Sequence, residues 1–286
     1  MFVGLFSLAG IVRTLEVWAQ RLQASFSSLG VAMMRFAMPE PVRIIGSYLS
    51  PYVQKALVCL DRKGIPYEID PIIPFFGDER FSKASPIRRI PVLIDDRVTL
   101  CDSSVICPYL DDRYPEPALY PANVADRARA RWFEEYADTR MGDVFIWRLF
   151  NQVAIGPFVW GEETDPEALR KTIEEDIPPV VDYIEGELPA EGFLLRSFSI
   201  ADIAIACFFR NAAIARFRPD PARWPKTASF VARVLATESF AKLEPFETCT
   251  ARTPIPKQRD ALREMGAPIT AETWGTATPR RGVMRI

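Results

Sequence analysis

Residues 46–60 read "GSYLSPYVQKALVCL". Within them Val53, Ala56, Leu57 and Leu60 recur at i, i+3, i+4 and i+7, the spacing of a helix that buries one face. Ser50 stands directly before Pro51, a helix-capping serine followed by the proline that suits the first helical position. Upstream, "VRIIGS" is a short β-rich run, and downstream Gly64 and Pro66 mark the helix stop. "YEID" (67–70) is the next strand candidate. Strand, helix and strand in so short a span predict a parallel pair joined by a right-handed crossover.

A short polar helix from Asp78 to Lys83 leads into "RIPVLIDDRVTLC" (89–101), two strands around an Asp-Asp turn. Pro91 opens the first of these strands, where its missing N–H is tolerated. "DSSVICPYLDDRYP" (102–115) begins with capping residues and predicts a helix with Val105, Ile106, Tyr109 and Leu110 on one face, slightly weakened by Pro108. The order is βαβαββα, a mixed sheet with helices on its faces.

After "EPALYPANVAD" the strand signal ends, and 124–151, 165–188, 199–216 and 226–243 read as helices. Asp165 and Pro166 start the second, and "IPPVV" predicts a kink or split within it. Ser199 and Asp202 form a capping-box-like pair at the head of a helix apolar on all sides, hence buried all round. The expected organisation is therefore an N-terminal extension over 1–38, an α/β domain over 39–119, an all-helical domain over 124–249 and a tail over 250–286. The tail is rich in Pro, Thr and Arg and either wraps the domain or remains mobile.

Composition narrows the chemistry. The chain of 286 residues has no histidine, which excludes Ser-His-Asp and Cys-His catalysis, His-ligated zinc and imidazole base chemistry. The chemistry left is that of hydroxyls, carboxylates, thiols or a bound co-substrate, and no metal site is expected. The five cysteines form no CxxC pair and read as scattered thiols in a reducing compartment, so the chain is expected to be cytoplasmic. A formal net charge of −2 gives no general pull toward nucleic acid. The apolar run "MFVGLFSLAGIV" is too short for a stable membrane span, and its first basic residue, Arg13, follows rather than precedes it. A start assigned too far upstream is the preferred reading of 1–38, with an amphipathic membrane-surface or organellar segment as the alternative.

Together "SPYVQKALVCLDRKGIPYE", "ASPIRRIPVLID", "LCDSSVICPYLDDRYP" and "SIADIAIA" resemble, in order and spacing, motifs of the cytosolic glutathione transferases, over about residues 40–248. The resemblance is to Ser-type, bacterial-looking members. It implies a thioredoxin-like N-terminal domain, an all-α C-terminal domain, glutathione as co-substrate, a small hydrophobic electrophile as second substrate, a homodimer and a role in detoxification.

The residue roles follow from the resemblance and from local chemistry. A helix N-terminus offers unpaired N–H groups and about half a positive charge. The resemblance places the glutathione thiolate there, with the Ser50 hydroxyl donating to it; stabilisation by about 2.7 kcal/mol lowers a thiol pKa by about two units. Ser50 is equally an ordinary cap, and the neighbouring Ser47 and Tyr48 rank behind it. Ile90, through a cis bond to Pro91, is implied to pair its backbone with the cysteinyl unit. Asp102 and Ser103 are implied to hold the γ-glutamyl end, and Lys83, ahead of Arg88 and Arg89, the glycyl carboxylate. Phe145, Trp147, Phe150 and Trp160 fall in the region that lines the second-substrate site in relatives, though aromatics at that spacing are more often core. Serine rather than cysteine at position 50 favours conjugation over disulfide exchange. Isomerisation, reductive ether or halide cleavage, and a non-catalytic scaffold are the alternatives.

Overall fold

A computed structural model describes residues 41–281; the expectations placed on residues 1–38 lie outside the described residues. The chain opens with β1 (Val42–Ile45), α1 (Pro51–Arg62) and β2 (Tyr67–Asp70). It continues through α2 (Glu79–Ala84), β3 (Val92–Ile94), β4 (Thr99–Cys101) and α3 (Ser103–Arg113), the expected βαβαββα order. The sheet order is β2-β1-β3-β4, with β1 parallel to β2 and the remaining pairs antiparallel. Gly64 ends α1 at φ +64°, a left-handed conformation that glycine adopts without a side-chain clash. The Asp95 carboxylate closes the β3–β4 turn by accepting the N–H groups of Arg97 and Val98.

The helical domain comprises α4 (Val124–Tyr136), continued without a break by a π-helical run Ala137–Trp160. Next come α5 (Pro166–Lys171), a wide-turn segment Thr172–Asp176 and α6 (Ile177–Glu187), then α7 (Ile200–Ile214). The helical winding changes at Ile177–Pro178, where "IPPVV" removes backbone donors. α7 is almost wholly buried, as its unbroken apolar sequence requires, and the Asp202 carboxylate holds both the N–H and the hydroxyl of Ser199 at its head. α1 is sandwiched, packing on α3 and on α7. Its burial is therefore set from two domains, and this fixes the position of its N-terminus.

Two expectations are corrected. The helix expected over 226–243 is two, α8 (Pro225–Leu235) and α9 (Glu238–Arg252), because Thr237 takes an extended conformation between them. Val105 does not join Ile106 and Leu110 in the core but is 49% exposed on α3. Of the two alternatives for the tail, the described residues take the wrapping one: the chain forms α10 (Gln258–Glu264) and then pairs with the edge of β2.

Candidate active site

Ser50 caps α1 with φ −78° and ψ 124°, and its Oγ accepts the Val53 N–H at 3.4 Å. That long contact occupies an oxygen lone pair and leaves the hydroxyl proton available to an anion. The loop before it is held on both sides. Gly46 N–H donates to the Asp70 carbonyl at 3.0 Å, and the Asn211 side-chain amide of α7 donates to the Leu49 carbonyl at 2.8 Å. Gly46 must be glycine: its φ is +154°, and a Cβ would lie 2.5 Å from Val53 Cγ2 and 3.2 Å from Ile90 Cβ.

That close approach brings Ile90 beside the Ser50 loop, and the Ile90–Pro91 bond is cis. The Pro91 carbonyl in turn accepts the Asp102 N–H at 3.2 Å. Asp102 sits at φ +79°, a left-handed conformation uncommon for a residue with a side chain, and caps α3 by accepting the Ser104 N–H at 2.9 Å. Ser103 is buried, and its Oγ has no hydrogen-bond partner. A buried hydroxyl at a helix N-terminus without a partner in the protein is free to receive a polar ligand group. Ser50, Ile90–Pro91 and Asp102–Ser103 are thus linked neighbours at one end of the sheet.

The other residues divide. Tyr48 is fully buried against Phe246, and Ser47 accepts the Leu49 N–H, so both support the loop rather than face a ligand. Lys83 is exposed on α2, and its ammonium has no ion-pair partner among the described residues. Arg88 is committed elsewhere: its guanidinium donates to the Pro74 and Gly77 carbonyls and to the Ser82 hydroxyl. The charge of Arg89 acts on the Tyr52 hydroxyl, in the first turn of α1. Phe145 packs in the core against Phe209 and Phe217, whereas Trp160 meets Phe75 of the β2–α2 loop edge-on at 5.1 Å.

One constellation has no local sequence signal. Lys55, on α1 and 1% exposed, donates to Glu134 at 3.0 Å and to Asp138 at 2.5 Å. Asp138 also accepts the Ser104 hydroxyl at 2.6 Å, and Glu134 accepts the Tyr120 hydroxyl at 2.9 Å. Burial disfavours the Lys55 ammonium, but Asp138 and Glu134 outweigh it and hold the group above the usual lysine range. The Tyr52 hydroxyl donates to the Asp138 carbonyl at 2.9 Å and lies where a Cβ on Gly142 would sit 2.5 Å away. Both helix N-termini of the site, those of α1 and α3, are thereby fastened to the start of the π-helical run. Two of the remaining thiols, Cys59 and Cys107, lie 3.6 Å apart in the core, and all five cysteines are free. Among the described residues no group of His, Cys, Asp and Glu side chains is placed to hold a metal ion.

Comparison with known proteins bears on the fold that carries this geometry. Residues 44–118 match the family described as "Glutathione S-transferase, N-terminal domain". The "Uncharacterized GST-like protein YibF" of Escherichia coli K12 is 28% identical over 209 residues, covering 71% of this chain and 98% of that protein. Among solved structures, a glutathione S-transferase from Rhodospirillum rubrum F11 superposes with a TM-score of 0.66 at 25% identity, over 71% of this chain and 91% of the other. A glutathione S-transferase from Methylobacterium radiotolerans, in complex with glutathione sulfonate, gives a TM-score of 0.60 at 23% identity over 71% and 93%. The fold and site define a thioredoxin-like domain joined to an all-helical one. Residues 44–118 carry the glutathione S-transferase N-terminal domain pattern, and the chain shares the fold of these solved glutathione S-transferases.

Proposed function

We propose that the protein is a glutathione transferase that activates the glutathione thiol for attack on a small hydrophobic electrophile. The observation that carries this reading is the convergence of a helix-capping serine, a cis-proline strand start and an unpartnered buried serine hydroxyl at one end of the sheet. These groups suit the three parts of a γ-Glu-Cys-Gly peptide. Ser103 and the N-terminus of α3 would bind the γ-glutamyl carboxylate, and Asp102 the ammonium. The Ile90 backbone would pair with the cysteinyl unit, and Lys83 would meet the glycyl carboxylate. Ser50 is the catalytic residue: its hydroxyl donates to the sulfur, and the positive end of α1 favours the anion over the thiol. The glutathione sulfonate complex of a structural neighbour supports glutathione as the co-substrate.

The second substrate would meet the thiolate on the side facing the π-helical run, where Tyr52 and Trp160 are only half-buried. We place the protein in the cytoplasm, on the strength of its free cysteines; no described helix is long and apolar enough to cross a membrane. A second copy of the chain would pair across α3 and α4. Exposed Val105 on α3 and a cavity of about 270 Å³ lined by Ser104, Pro108, Arg131, Glu134 and Glu135 support that face.

Binding to immobilised glutathione tests the reading. The wild type is expected to be retained and eluted by free glutathione, and Asp102→Ala to pass through while still unfolding cooperatively, its thermal midpoint lowered only by the few degrees that loss of the α3 cap costs. A wild type that shows no affinity at millimolar glutathione contradicts it.

A further inference from the structure

The glutathione reading accounts for one side of the site but not for the segment that follows α9. Past α10 the chain runs beside β2. Ile69 N–H donates to the Pro268 carbonyl at 2.7 Å, and Thr270 N–H to the Ile69 carbonyl at 3.1 Å, so the exposed edge of the sheet is covered. The segment then follows the loop from β2 to α2. Asp78 N–H donates to Trp274 (2.8 Å), Thr276 N–H to Phe76 (2.7 Å) and Arg280 N–H to Phe75 (2.8 Å). At its far end the Arg281 guanidinium lies 4.8 Å over the Trp160 ring and pairs with Glu162 at 2.7 Å.

Its anchor is Asp70, the last residue of β2 and 2% exposed. The carboxylate accepts Arg259 at 2.7 Å, the Thr273 hydroxyl at 2.8 Å and the Trp274 N–H at 2.6 Å. The main-chain carbonyl of the same residue holds Gly46, at the start of the Ser50 loop. Contact between the two segments is close. Gly77 and Gly275 pair backbone to backbone, and a Cβ on Gly275 would lie 3.0 Å from Ile72 Cγ2. From inside, Arg88 grips the same loop through Pro74 and Gly77, two residues ahead of Ile90. The loop that leads into α2 is therefore clamped between Arg88 and a segment about 200 residues further along the chain.

We propose that residues 253–281 form a positioning strap that fixes the glycyl side of the glutathione site. The inference rests on the glutathione reading above. In the sheet order β2-β1-β3-β4, Asp102–Ser103 follow β4, Pro91 opens β3 and Ser50 follows β1. A peptide with its γ-glutamyl end on Ser103 and its cysteinyl backbone on Ile90 runs toward β2. Its last residue then reaches the 71–78 loop and α2, the elements the strap holds. E. coli YibF, matched over 98% of its own length, occupies only 71% of this chain, and the motifs that resemble glutathione transferases end by about residue 248, ahead of the strap. The strap acts by restricting the loop before ligand arrives, so that the glycyl carboxylate does not have to order it on binding.

The test uses the full chain and two variants. Gly275→Val wedges the strap away from Ile72, and Arg259→Ala with Thr273→Val removes two of the donors to Asp70. Calorimetric titration with glutathione and with γ-glutamylcysteine, which lacks the glycine, is paired with hydrogen exchange of residues 71–84. Both variants are expected to exchange faster there and to lose about tenfold in glutathione affinity, the scale of one charge-assisted contact. Their γ-glutamylcysteine affinity should stay within about twofold of wild type. Equal weakening of both ligands marks a general structural role and overturns the proposal. So does unchanged exchange, or unchanged glutathione affinity despite faster exchange. A wild type that binds neither peptide overturns the glutathione reading itself and the strap proposal with it.

Discussion

The two flanks of the site are built in opposite ways. On the α1–α3 flank, buried charges from the helical domain fasten two helix N-termini: Lys55 with Glu134 and Asp138, and Asp138 with Ser104. On the α2 flank, main-chain hydrogen bonds to a distant strap hold a loop that has little core beneath it, Phe81 being the one fully buried side chain of α2. Buried ion groups are costly to break singly, because each loss strands a charge in a dry environment. The main-chain strap bonds near the surface, unlike the buried Asp70 anchor, exchange with water at little net cost. The flank that would orient the thiolate is thus coupled to global stability. The flank that would hold the glycyl end can be loosened while the fold stands.

Lys55→Met should break this contrast most severely. It leaves Glu134 and Asp138 buried without their cation, and about 3–5 kcal/mol of stability should be lost in urea unfolding. Of the strap variants, Gly275→Val should unfold near the wild-type midpoint, whereas Arg259→Ala with Thr273→Val strands the buried Asp70 carboxylate and should unfold earlier than wild type.

A smaller effect is expected at Glu247, which pairs with Arg210 next to the Asn211 that holds Leu49. Burial pushes the Glu247 carboxyl up to about 7, against the opposing pull of Arg210. A carboxyl that binds its proton more tightly in the folded state favours folding at low pH. Stability should therefore fall as pH rises from about 4.5 through about 7, by on the order of 1–3 kcal/mol. In Glu247→Gln that slope should vanish from the pH dependence of the unfolding free energy. A slope identical in both proteins would assign it to other groups.

How much of this was legible follows from which interactions are local. Ser50, Pro51 and Gly64 define α1 by capping chemistry within a few residues, and the Asp95–Asp96 turn defines the hairpin in the same way. The four-stranded sheet and the positions of Ile90, Pro91, Asp102 and Ser103 followed from these together with the resemblance. Lys55 gave no sign, because its partners lie 79 and 83 residues away and a lysine inside a helix pattern reads as solvated. The strap was equally hidden. A bridge from Ile269 to Ile69 depends on where two distant segments are brought by the fold, and single-residue pairing carries no periodic signal. Val105 was misplaced because helical spacing identifies an apolar stripe but not where the core stops. Phe145 shows the reverse ambiguity: an aromatic in a helix suits a substrate wall and a core equally well, and here it is core.

The central claim is that the Ser50 end of α1 converts a bound thiol to its anion. Titrating the ultraviolet absorbance of the thiolate in the glutathione complex tests this directly, with wild type and Ser50→Ala side by side. Against an ordinary thiol value of about 8.5, the wild-type complex should titrate about two units lower, and Ser50→Ala should recover at least one of those units. The same apparent pKa in both complexes would contradict the role of Ser50.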